Sequence, residues 1–403
     1  MKISIDKLKQ IPGKLSNKFG VCVYGEMPDH IKEWVDYHGF EVQELKGFTN
    51  IFVNRDPYDV FVMPDTQFAY MDGFSPNLNK KLHMGHLSNL VYAKAFRRMG
   101  FAEASVSILG DTLTGVVANE DGYAGFKELC SKSGYTVDME LFASDMKLED
   151  ESILKDGTGI YEGTKVFNIN GDRLVGMKSA GSTTYFYQDV ALAQKLGTST
   201  LYLTGSEQNE HFKSLNALFP DVQHIGLGLV KANGRKMSSR EGNFILIDLL
   251  MEVLMESFDN YDLAYNVFAG YILRTAPSVE KNIDLSTMDN PKSSPGLYLS
   301  YTLARLKSAG VNVEKQNQGR PTSKALQFAY MKAKGGLMPN WFFSELTEHA
   351  KKINSLYETH QIKGGSEETM EMFEELGADL AKSMRLLGMF EVDAVPKRET
   401  ILS

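Results

Sequence analysis

Two short stretches hold most of this chain's capacity for chemistry. In the first, His83-Met84-Gly85-His86 sets two imidazoles three positions apart, with Lys80 three residues ahead of them. In the second, Lys236-Met237-Ser238-Ser239-Arg240-Glu241-Gly242 places a lysine and an arginine around a Met-Ser-Ser run. Imidazole N–H groups donate hydrogen bonds to phosphate oxygens, and the cations neutralise phosphate charge. A loop with glycine and serine between two cations suits a clamp that closes on a triphosphate.

The elements around these residues support the phosphate reading. Gln67 to Met71 reads as a strand, and Leu87, Leu90, Val91 and Ala95 recur at helical spacing, with Gly100 as the stop. The histidines therefore fall where a strand turns into a helix N-terminus. Open backbone N–H groups and the helix dipole favour an anion there. Gly85 lets a phosphate approach the backbone with no Cβ in the way. A second strand, Ala104 to Leu109, ends in Gly110-Asp111, which predicts a right-handed βαβ unit with its ligand at the carboxyl ends of the strands. Helices opening at Thr184 and Gly205, and strands at Thr200–Thr204 and Val222–Val230, extend the pattern. The fold class is α/β: a Rossmann-type parallel-sheet domain, a small N-terminal α/β unit and an all-α C-terminal bundle.

The two motifs together resemble the signatures of class I aminoacyl-tRNA synthetases. The flanks narrow the resemblance to arginyl-tRNA synthetase. They are Asp72…Ser75-Pro76-Asn77…Lys80…His83-x-Gly-His86, Tyr185-x-x-x-Asp189, Gln208-x-x-His211 and Met237-Ser-Ser-Arg240-x-Gly242, within a span from about residue 68 to 390. The resemblance implies ATP-dependent ligation of L-arginine to tRNA(Arg) through an arginyl-adenylate, with ATP as substrate and Mg²⁺ as its companion. His83, His86, Lys80, Lys236 and Arg240 would act on the phosphates. Gly85, Met237, Ser238 and Ser239 would complete the ATP site. Most class I enzymes carry a lysine where this chain has Ser239, and Lys80 stands where the arginine family compensates. Asp72, Ser75, Asn77, Tyr185, Asp189 and Gln208 would hold arginine, with Ser75 and Asn77 nearest its α-amino group. A guanidinium is a planar cation with five donors, so it needs carboxylate acceptors and can stack on a ring. His211 ranks below Gln208, and His224 reads as structural. Three places depart from the family: Phe74, where serine is common; the stretch after Asp111, Thr112-Leu-Thr-Gly115; and the tail Val395-Pro-Lys-Arg-Glu399.

From Ile247 onward the chain reads as helices. Between Arg305 and Lys334 stand seven cations against one acid, Glu314, a local charge of +6 in a chain of net charge −8. Tyr298, Tyr301, Arg305, Lys307 and Lys324 are the candidate tRNA contacts, as rings and cations for RNA. The expected division is 1–65, an N-terminal α/β unit; 66–255, the nucleotide-binding domain with an insertion at about 119–182; and 256–403, an anticodon-binding-type bundle. Cys22 and Cys130 are the only cysteines and offer neither a disulfide framework nor zinc spacing. With no protein metal site, no signal-peptide h-region and no run long enough to span a bilayer, a cytoplasmic monomer is expected. Two other readings fit parts of the pattern. One is an amino-acid-activating nucleotidyltransferase with another acceptor, and the other a non-catalytic RNA-binding paralogue.

Overall fold

The computed structural model describes residues 1–5, 13–16, 20–62, 67–111, 119–232, 235–236, 245–314 and 321–395. The chain divides into two units. One comprises residues 66–250 with 277–283, and the other residues 1–65, 251–276 and 284–403.

The first unit is built on a five-stranded sheet. Its labelled elements are β1 (Phe68–Asp72), α1 (Met84–Arg98), β2 (Ala102–Leu109), α2 (Asn119–Ser133), β3 (Met139–Phe142), α3 (Tyr185–Leu196), β4 (Thr200–Gly205), α4 (Asn209–Leu218) and β5 (Val222–Leu227). The strand order is β5-β4-β1-β2-β3, every pair parallel. A parallel sheet is covered on both faces, so its strands are apolar runs rather than alternating ones. Val106 and Leu109 on β2 and Leu201, Tyr202 and Leu203 on β4 are accordingly buried. The order reverses between β1 and its neighbours, which puts the ligand crevice at the carboxyl end of β1. Asp72 is the last residue of that strand.

The stretch read as an insertion divides in two. Residues 119–142 supply α2 and the edge strand β3, so they belong to the parallel sheet. Only the later part is an addition: an antiparallel sheet of Leu154–Asp156, Lys165–Ile169 and Asp172–Met177. Its Phe167 and Ile169 join the core formed by α3 and α4.

In the second unit, strands Gly13–Ser16, Gly20–Tyr24, Phe48–Phe52 and Glu41–Leu45 form an antiparallel sheet beside helix Asp29–His38. Trp34 is fully buried at its centre, and the same core continues into Phe328 and Met331 of helix Lys324–Gly336. Residues 1–62 and that helix therefore share one apolar interior. Further helices of this unit include Tyr261–Leu273, Pro295–Ser308, Pro339–Thr359 and Glu367–Leu386. The first two touch backbone to backbone: a Cβ on Gly296 would lie 1.9 Å from the Asn266 carbonyl. Fully buried Asn266 bonds both Ser300 and the backbone of Phe390.

Candidate active site

The turn from β1 to α1 is held by its own histidines. His83 is the N-cap of α1, and its Nδ1 accepts the Gly85 N–H at 3.2 Å. His86 Nδ1 accepts the His83 N–H at 3.1 Å, so the two side chains form a reciprocal capping box. Their rings lie 3.9 Å apart, tilted by 32°. A nitrogen that accepts a backbone N–H carries no proton, so in each neutral ring the proton sits on Nε2. Burial pushes both pKa values down, with the Lys80 charge acting in the same direction; His86 falls to about 3. Both imidazoles are therefore neutral Nε2–H donors at physiological pH.

This geometry corrects one expectation. The backbone N–H groups of the first turn are not open to an anion. The Met84 N–H bonds the Ile245 carbonyl, the Gly85 N–H bonds the His83 ring, and the His86 N–H bonds the His83 carbonyl. The side chains at this turn are the two imidazoles and the exposed Lys80. Gly85 has a second role beyond admitting a ligand. A Cβ there would lie 3.0 Å from His83 Cε1 and 3.1 Å from its Nδ1, so glycine makes room for the capping ring.

The segment after the downstream motif reaches the histidine turn. Lys236 pairs with Lys231 in a short antiparallel ladder. Past the motif, Leu246 bridges His83, and the Ile247 N–H bonds the Leu82 carbonyl. The segment that follows the downstream motif is thus laced onto the histidine turn. Met237, Ser238, Ser239, Arg240 and Gly242 lie outside the described residues, as does the side chain of Lys236.

Asp72 and Asp189, far apart in sequence, lie within electrostatic range of each other. Asp72 is buried at the end of β1. Its Oδ1 accepts the Ser75 hydroxyl at 2.5 Å, and that hydroxyl accepts the Ile108 N–H at 2.8 Å. Ser75 thus clamps Asp72 to β2, an engagement additional to the α-amino role expected of it. Burial raises the Asp72 pKa to about 7, against the Ser75 bond, and Asp189 raises it further. Asp189, on α3, is also raised by burial and is opposed by His211. His211 Nε2 lies 2.6 Å from Asp189 Oδ2. Its ring is fixed edge-on to Phe186 and beside Phe212, so it orients that carboxylate.

The remaining candidates lie on the same elements and turns. Tyr185 opens α3 one turn before Asp189 and is 63% exposed. Gln208 is exposed at the start of α4, three residues before His211. Asn77 caps the turn, its Oδ1 accepting the Asn79 N–H at 2.9 Å, and pairs with Gly110. Phe74 is buried and stacks on Phe126, so it belongs to the core and not to the pocket edge. Asp111 accepts both the N–H and the hydroxyl of Ser144. His224 is bonded to Thr204 Oγ1 at 2.9 Å and stacked on Phe212, as a packing residue would be.

Of the candidate RNA contacts, Tyr301 (41% exposed) and Lys324 lie open on the surface. The Arg305 guanidinium sits 3.6 Å from the centre of the Tyr357 ring and bonds Asn354. The Tyr298 hydroxyl accepts from Asn354. Lys307 is paired with Glu391 at 3.4 Å and Asp393 at 2.8 Å, which offsets part of the local positive charge. Lys315 and Arg320 lie outside the described residues.

A parallel sheet with a histidine-capped strand-to-helix turn at the carboxyl end of its central strand is a fold of the Rossmann type. Solved arginyl-tRNA synthetases have a similar fold. The chain superposes on the enzyme of Thermus thermophilus with a TM-score of 0.65 at 15% identity, covering 95% of this chain and 96% of that one. For the Plasmodium falciparum enzyme the TM-score is 0.64 at 14% identity, over 94% of each chain. In sequence, the chain is 28% identical over 329 residues to the arginine–tRNA ligase of Pediococcus pentosaceus, covering 67% of this chain and 58% of that protein. It is 29% identical over 222 residues to that of Streptococcus mutans. The chain thus spans a little over half the length of the Pediococcus enzyme, and no family model matches it. The resemblance carried by the motifs holds in both sequence and fold.

Proposed function

We propose that this chain ligates L-arginine to tRNA(Arg), with ATP consumed through an arginyl-adenylate. The observation that carries the reading is a pair of carboxylates beside the histidine turn, buried Asp72 and partly buried Asp189, the second raising the pKa of the first. Two acids sharing one low-dielectric site call for a cation between them. A guanidinium meets that demand with paired N–H donors.

The arginine carboxylate attacks the α-phosphorus of ATP, and pyrophosphate leaves with the bond electrons. No general base is needed, because a carboxylate is already a nucleophile. Catalysis is alignment and charge stabilisation. The Nε2–H groups of His83 and His86 donate to phosphate oxygens as neutral groups, so they do not repel Lys80. Lys80, Lys236 and Arg240 neutralise the leaving pyrophosphate. Magnesium enters as part of the MgATP substrate, held by phosphate oxygens. Among the described residues, no cluster of three or more His, Cys, Asp or Glu is placed to hold a metal ion. Tyr301 and Lys324 offer a ring and a cation to the tRNA, in the region of residues 256–403 assigned to anticodon binding.

The test is charging of bulk tRNA with each of the twenty labelled amino acids in turn. Arginine alone is expected to be transferred. Transfer of a different amino acid overturns the pocket assignment. Arginine-dependent pyrophosphate exchange without transfer to tRNA points to another acceptor.

A further inference from the structure

Tyr202 lies in the middle of β4, within an apolar run where the sequence shows only a strand. It is fully buried, and its hydroxyl has no hydrogen-bond partner among the described residues. A buried polar group left this way is rare in a folded protein and asks for an explanation. Its position supplies one. Tyr202 is the register partner of Asp72 on β1, and neighbouring residues in register on parallel strands point to the same face of the sheet. Asp189 and His211 cover that face from α3 and α4. Phe212, next to His211, packs on the Tyr202 ring at 4.7 Å. Burial and the charges of Asp189 and Asp72 all hold the phenol in its protonated form.

Counting acceptors makes the point sharper. Asp72 Oδ1 is engaged by Ser75, and Asp189 Oδ2 by His211. Among the described residues, one oxygen on each carboxylate has no such engagement, against the five N–H donors of a guanidinium. A phenol oxygen accepts from one more N–H while its own proton turns to a carboxylate.

We propose that the Tyr202 hydroxyl is a specificity-determining group of this pocket, accepting a guanidinium N–H between Asp72 and Asp189. The proposal rests on the reading that the pocket takes arginine. It makes the site a reader of a planar, many-donor head group as well as of positive charge, and so favours arginine over lysine.

Tyr202→Phe removes only the hydroxyl and keeps the ring against Phe212. Arginine binding to the full chain, measured by calorimetry, should weaken about tenfold, the size of one lost hydrogen bond at the upper end of the usual range. Competition by lysine should be unchanged. The melting temperature of the unliganded protein should stay level or rise, because no protein contact is lost. A hydroxyl that serves the fold gives the opposite pattern, a lower melting temperature with arginine affinity intact, and that result overturns the proposal. Absence of arginine binding in the wild-type protein would instead remove the pocket reading on which it stands.

Discussion

On the proposed arginine reading of the pocket, the raised pKa of Asp72 makes ligand binding a proton-release reaction. In the unliganded protein its carboxyl titrates near pH 7 because burial disfavours the charged form and Asp189 adds repulsion. A bound guanidinium reverses both causes, since it pairs with the carboxylate and offsets Asp189. The pocket must therefore lose the Asp72 proton to bind arginine well. With a pKa of about 7, the ionised fraction is roughly one in eleven at about pH 6 and ten in eleven at about pH 8, so affinity should rise about tenfold across that interval and then level off. The same burial acts on stability. Between the ordinary value of 3.8 and about 7 the unliganded folded chain holds a proton that the unfolded chain has released, so stability falls as pH rises through that window; the loss is on the order of 4 kcal/mol above it. Calorimetry in buffers of different ionisation enthalpy reads the released proton directly, close to one per arginine at about pH 6. Asp72→Asn should abolish most of that release, weaken arginine binding and raise the melting temperature above neutral pH. Asp189 faces the same pocket and can add its own proton change, so the decisive quantity is the difference between wild type and Asp72→Asn. Equal proton release by the two proteins would refute the assignment of the linkage to Asp72.

Three further outcomes follow from the site. Asp189→Ala should weaken arginine binding by several kcal/mol, about 3–5, because it leaves the guanidinium with one carboxylate and His211 with none; unchanged arginine KM and kcat would place the pocket elsewhere. Lys80→Ala should lower kcat about a hundredfold, the usual worth of a donor to developing phosphate charge, with a smaller change in arginine binding. The exposed Lys147→Ala serves as its control, and equal losses from the two would deny Lys80 its role. Lys324→Ala should flatten the log–log salt dependence of tRNA binding by about 0.7–0.9, one phosphate contact, whereas Lys307→Ala should leave the slope nearly intact because Glu391 and Asp393 already hold that ammonium. A larger loss of slope from Lys307→Ala than from Lys324→Ala would contradict this division.

The histidine-capped turn was legible in the sequence because it is local. A strand, a glycine-bearing turn and a helix of the right period follow one another within a few dozen residues, and hydrophobic spacing reports such elements directly. The helices after Ile247 were legible for the same reason. The family motifs named Asp72 and Asp189 as arginine ligands, but periodicity alone could not say that they share one pocket; that depends on how β1 and α3 pack across the sheet. Tertiary structure also decided what each group has left to offer. The α1 N-terminus looked open until the His83 ring and the Ile245 carbonyl occupied its donors. The cations near Arg305 summed to a patch until Glu391 and Asp393, distant in sequence, bonded Lys307. Tyr202 passed as one more apolar strand residue, and a tyrosine within such a run was the available hint that a hydroxyl had to go inside. Sequence spacing sets which face of an element a side chain occupies. Which groups meet there, and how dry their surroundings are, is set by packing, and that is what fixes hydrogen-bond partners and pKa.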